Sequence, residues 1–154
     1  MGVLATAATL LVAWLLAIFH VAPAGAVDTD TFADSAMRWL LFLPGGFMFL
    51  SSFIMHTFLA KKTAAMIGWT TNGFQYEIGF VSLGLGVAGI VASVSSSASW
   101  VPIAIAQGIF LALAGVNHIV EMAKSHNFKP GNSMILIYDF GLPVSYLALL
   151  LSLR

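Results

Sequence analysis

The chain alternates long apolar runs with short polar connectors. A helix needs about 20 mostly apolar residues to cross a hydrocarbon core roughly 30 Å thick. Five stretches meet that length, at about residues 3–22, 38–60, 75–96, 101–123 and 132–153. Each connector carries punctuation. Pro23, Gly25, Asp28, Asp30 and Asp34 fill the first, and Lys61 and Lys62 open the second. Ser95, Ser96, Ser97 and Ser99 form the third, ahead of Trp100 and Pro102, and the fourth runs from Lys124 to Asn132. The pattern predicts an all-α fold, a polytopic transmembrane helical bundle of about five spans, with residues 1–154 as a single membrane domain. Within the third span, Gly79, Ser82, Gly86, Gly89 and Ser93 share one helical face. Small residues on one face let helices approach closely where lipid offers no hydrophobic drive, so this helix suits the centre of the bundle.

Composition agrees with that reading. The 154 residues are 60% hydrophobic and 8% charged, with six basic and six acidic side chains. A soluble domain carries about 25% charged residues. Zero net charge without a basic run argues against nucleic-acid binding. The absence of cysteine removes disulfides, thiolate catalysis and cysteine-ligated metal centres. Ala24-Gly25-Ala26 resembles a signal-peptidase site, but no Lys or Arg precedes the first apolar run, so that run is expected to be a retained helix.

The basic residues suggest an orientation. With five spans, Lys61, Lys62, Lys124 and Lys129 share a side with the amino terminus, and Arg38 and Arg154 lie opposite. This bias points to a cytoplasmic amino terminus. Trp14, Trp39, Trp69 and Trp100 lie mostly near span ends, where interfacial anchors are found.

Charge inside the spans is the main functional signal. Glu77, Glu121 and Asp139 lie in or at the margins of spans, where no Lys or Arg accompanies them. An unpaired carboxylate there is costly. His56 lies about 7 Å inside its span, His118 about 9 Å and Asp139 about 10 Å, counting 1.5 Å per residue from the same side. Glu77 opens its span from that side too. His118 and Glu121 are one turn apart on one helix. Ser52, Gln75, Gln107, Asn117 and Tyr138 are expected to support this polar layer. Four readings stay open: a divalent metal (zinc, iron or manganese) held by His56, Glu77, His118, Glu121 and Asp139; a haem between His56 and His118; a proton or ion relay; and a hydrogen-bonded cluster that fixes helix register. The expected partners are the lipid bilayer and either other membrane subunits or further copies of the chain. An accessory subunit of a larger assembly is the rival to a site with its own chemistry. The loop Ile67-Gly68-Trp69 through Asn72-Gly73-Phe74 can fold back and bring Trp69 and Phe74 over the layer near Glu77.

Several motifs carry a resemblance. Ile67-Gly68-Trp69, Phe74-Gln75-Tyr76-Glu77, Gly115-Val-Asn-His-Ile-Val-Glu121 and Asn127-Phe-Lys-Pro-Gly-Asn132 occur in an order that resembles a family of small bacterial integral membrane proteins defined by a domain of unknown function. The resemblance covers roughly residues 38–145. It implies a multi-helix membrane protein with recurring polar residues at His56, Gln75, Glu77, His118, Glu121 and Asp139, and it implies no activity.

Overall fold

A computed structural model describes residues 2–152. It is all-helical among those residues: α1 (Gly2–Ile18), α2 (Phe32–His56), α3 (Ala60–Ile67), α4 (Gly73–Ser93), α5 (Trp100–Ser125), α6 (Pro130–Ser133) and α7 (Leu136–Ser152). Four helical stretches, Phe32–His56, Gly73–Ser93, Ser97–Ser125 and Pro130–Ser152, are long and apolar enough to span a membrane. The first expected span is shorter than its sequence suggests. It stops at Ile18 after 17 residues, about 25 Å at 1.5 Å per residue. His20 then takes a left-handed φ of 54°, and Pro23 follows. The second begins six residues earlier than expected, because Thr31 and Asp34 form a reciprocal capping box that draws Asp34 into the helix. The expected end of the last span at residue 153 lies outside the described residues, as does Arg154.

Helix α2 is not uniform. Leu43–Phe47 forms a π-helical turn around Pro44-Gly45-Gly46, and Met48 N–H reaches back five residues to the Leu43 carbonyl. Pro44 has no N–H to give, and in a membrane any carbonyl left without a partner is expensive. Side chains from two other helices respond. Tyr138 Oη–H donates to Pro44 O at 2.7 Å. Gln107 Nε2 donates to Gly45 O at 2.7 Å and to Leu85 O at 3.0 Å. Tyr146 Oη–H donates to Gln107 Oε1 at 2.6 Å. This places Gln107 and Tyr138, both expected near the polar layer, in a separate network deeper in the bundle. Gln107 is 11 residues before His118, about 16 Å along α5.

The small-residue face of α4 packs on α2. Gly79, Ser82, Gly86, Gly89 and Ser93 are all buried. A methyl group at Gly89 would come within 2.5 Å of Gly45 O, and one at Gly86 within 3.0 Å of Gly46 O. Ser52 and Ser82 place their hydroxyls 3.1 Å apart across the same seam. Helix α1 joins through Trp14 Nε1, which donates to Ser145 Oγ on α7 at 3.0 Å.

The end of the bundle opposite His56 is closed by Arg38. It is only 5% exposed, pairs with Asp30 at 2.9 Å and donates to the carbonyls of Ser93 and Ser95 at the C-terminus of α4. A cation suits that negative helix end. Its guanidinium also lies 4.9 Å from the centre of the Trp100 ring. Trp100 is therefore no interfacial anchor: it is buried and donates to Ala92 O at 2.9 Å.

The α2–α4 seam gives a direct test. Gly89→Ala should cost about 1–3 kcal/mol by overpacking, read as a lowered thermal midpoint in detergent. Gly84→Ala, on the same helix with nothing within 4 Å, should leave the midpoint unchanged.

Candidate functional site

The end of the bundle near the amino terminus of α1 is built by two connectors that brace each other. The connector after α2 turns at Thr57, whose hydroxyl donates to Phe53 O. Helix α3 follows, with Thr63 Oγ1 donating to Met55 O at 2.7 Å, and Gly68 ends it in a left-handed conformation with φ 91°. Asn72 then caps α4 by accepting from Gln75 N–H. The connector after α5 begins with His126 at φ 51°. Asn127 donates from Nδ2 to Ile67 O at 2.8 Å, with its amide so close to Gly68 that no Cβ would fit there. Asn132 in turn donates from Nδ2 to Asn127 O at 2.8 Å.

These braces set the surroundings of His118. Asn132 uses its N–H on Asn127, so its Oδ1 is the atom that faces His118 Nδ1, at 2.5 Å. The indole of Trp69 stacks on the imidazole, with ring centroids 5.1 Å apart and planes 20° from parallel. On the ring's other nitrogen, Nε2 lies 3.9 Å from Asp139 Oδ2. Asp139 reaches this position because Gly115, one turn before His118, lets α7 close in: a methyl there would meet the Asp139 Cβ at 3.1 Å. Asp139 is 3% exposed. Three buried atoms have no hydrogen-bond partner among the described residues: Asp139 Oδ2, Trp69 Nε1 and His56 Nδ1. His56, at the end of α2, lies within Coulombic reach of His118.

The expected layer is thus only partly assembled. His118 and Asp139 meet, with His56 nearby. Glu77 is exposed, and helical geometry explains why. Gly79 faces His56 and Thr57, and a residue two positions earlier sits about 200° round the helix. Glu121 is half-buried and lines an open recess of 350 Å³ with Gly68, Trp69, Thr70 and Asn117. Gln75 donates from Nε2 to Ala60 O at 2.9 Å, so it fastens α4 to α3 rather than facing His118. Ser52 belongs to the α2–α4 seam. Among the described residues no three His, Asp or Glu side chains stand close enough to share a metal ion. The five expected ligands do not form a coordination set, because two of them turn to the surface. Trp69 lies over His118.

Two residues of the site, Asn127 and Asn132, bound one of the motifs named above but are not among the expected site residues. Their signal is the Lys129-Pro130-Gly131 turn, which folds the chain back so that the Asn132 amide reaches the Asn127 carbonyl.

Removing the Asn132 carbonyl should free the imidazole. Asn132→Ala should cost about 1–3 kcal/mol, as for a buried donor left without its acceptor. Nitrogen-15 NMR should then show His118 losing its fixed Nδ1–H tautomer. An unchanged tautomer in the variant would count against the assigned geometry.

No curated protein and no solved structure matches this chain. The sequence profile of a family of unknown function, DUF6790, matches residues 4–154, so the match runs through α1 as well as the motifs between residues 38 and 145. The chain therefore belongs to DUF6790.

Proposed function

We propose that this protein exchanges protons at a site within the membrane, as the working part of a proton-coupled carrier, and that His118 and Asp139 form that site. The observation that carries the reading is the bond from His118 Nδ1 to Asn132 Oδ1. Because the oxygen of Asn132 is the acceptor, Nδ1 carries the hydrogen. In the neutral ring Nε2 is then a bare lone pair, and it faces Asp139 Oδ2, another acceptor when ionised. Two acceptors 3.9 Å apart in a region of low dielectric need one proton between them. With that proton on either atom the pair is neutral overall, as carboxylic acid with imidazole or as carboxylate with imidazolium. Losing it leaves a net negative charge and gaining a second leaves a net positive one, both costly without a Lys or Arg partner.

The gap is too long for a direct hydrogen bond, and closing it takes a shift of about 1 Å. This favours a site that changes state over one that only holds helices together: a purely structural pair would be in contact, as Gln107 and Tyr146 are at 2.6 Å. The four lysines near this end, Lys61, Lys62, Lys124 and Lys129, favour its opening to the cytoplasm of a bacterial cell.

Infrared difference spectra between acid and alkaline media should show a carboxylic-acid carbonyl band that disappears in Asp139→Asn and shifts in His118→Gln. In proteoliposomes, an imposed pH gradient should collapse faster with the wild-type protein than with Asp139→Asn. Absence of any band sensitive to Asp139 would overturn the reading.

A further inference from the structure

The residue that stacks on His118 comes from a connector and not from a spanning helix. Trp69 lies in the loop between α3 and α4. Its backbone is tied down, with the N–H donating to Ala64 O at 2.8 Å and Asn127 holding the neighbouring Ile67 carbonyl. Its side chain is held differently. The indole rests on the imidazole face, but its Nε1–H is buried with no acceptor among the described residues. A buried donor without a partner favours any motion that returns it to water. Rotation about the side-chain bonds achieves this without unfolding the loop.

Trp69 also borders the recess that holds Glu121, Asn117 and Thr70. Asn117 and Glu121 flank His118 on α5, so the recess and the pair lie close together with the indole at their boundary. The Glu121 carboxylate has no salt-bridge partner among the described residues, and a negative group at a mouth raises the local concentration of cations.

We propose that Trp69 is a side-chain lid and the recess its port. Stacked on His118, the indole separates the pair from water. Rotated outward, it joins the pair to the recess, where hydronium or a small protonated solute arrives beside Glu121. Trp69 is thus a positioning residue that controls access, and what passes beneath it rests on the proton-exchange reading. The lid itself can be tested without that reading.

The chain has no native cysteine, so one introduced thiol is a unique reporter. Asp139→Cys is treated with a charged, membrane-impermeant methanethiosulfonate in the presence of Trp69, Trp69→Phe or Trp69→Ala. Labelling should be slow with Trp69 and with Trp69→Phe, whose ring can still stack. With Trp69→Ala it should be faster by about tenfold, the scale of a local opening released by loss of one ring contact. Glu77→Cys, at an exposed position, should label fast and equally in all three backgrounds. If Asp139→Cys does not fold, deuterium exchange of the Trp69 indole N–H in the wild-type protein is the readout: slow exchange supports the lid, and exchange as fast as at an exposed indole refutes it. Equal labelling of the buried thiol in all backgrounds, or labelling as fast as Glu77→Cys with Trp69 intact, would refute the lid. A missing infrared band at Asp139 would instead remove the proton-exchange reading and leave the labelling result standing.

Discussion

The Gln107 side chain bonds to three neighbouring helices from within α5, and the arrangement of the bundle depends on it. Its amide N–H groups meet carbonyls of α2 and α4, and its oxygen takes the hydroxyl of Tyr146 from α7. The need arises from Pro44-Gly45-Gly46, which opens the backbone of α2 where water cannot repair it. The glycines that make the break also permit the close α2–α4 contact, so the weakness and the packing advantage share one segment. Every polar atom in this inner network has a partner, as expected of a cluster that fixes structure.

The layer around His118 is different in kind. Its scaffold is just as well braced, through Asn127, Asn132 and the glycines at 68 and 115, yet the groups at its centre are left unmatched. Asp139, Trp69 and His56 each keep a buried polar atom unpaired. Fully bonded and incompletely bonded polar layers, about 16 Å apart along α5, divide the molecule into a part that holds and the part to which the proposed proton exchange is assigned.

Much of this was legible in the sequence. Helical class and the α4 packing face follow from apolar run length and small-residue spacing, which are local properties. The proximity of His118 and Asp139 follows from depth arithmetic, since helices crossing a bilayer convert sequence distance into height. Depth does not give azimuth: Glu77 and Glu121 lie at the same end of the bundle as His118, but Glu77 is exposed and Glu121 lines an open recess. The match of the family profile to residues 4–154 likewise includes the first helix, whose plain apolar sequence carries no motif. Gln107 and Tyr138 are expected from sequence to support the polar layer, but each instead bonds a backbone carbonyl at the π turn. No side-chain pattern announces such a turn. The roles of Asn127 and Asn132 depend on two connectors meeting, a contact about 60 residues apart in the chain.

The π turn sets more than a hydrogen-bond pattern. One residue beyond the α-helical count advances the remainder of α2 by about 100°. Met37, Leu40 and Leu41 before it are buried, as is Phe49 after it, and Ser52 and His56 continue that inner line. An uninterrupted helix could not keep both segments turned inward. Excising a single residue from Leu43–Phe47 would leave the apolar character of the span intact while swinging His56 out toward lipid. The length of this segment, independent of its composition, thus works as an angular adjustment that brings the histidine to His118.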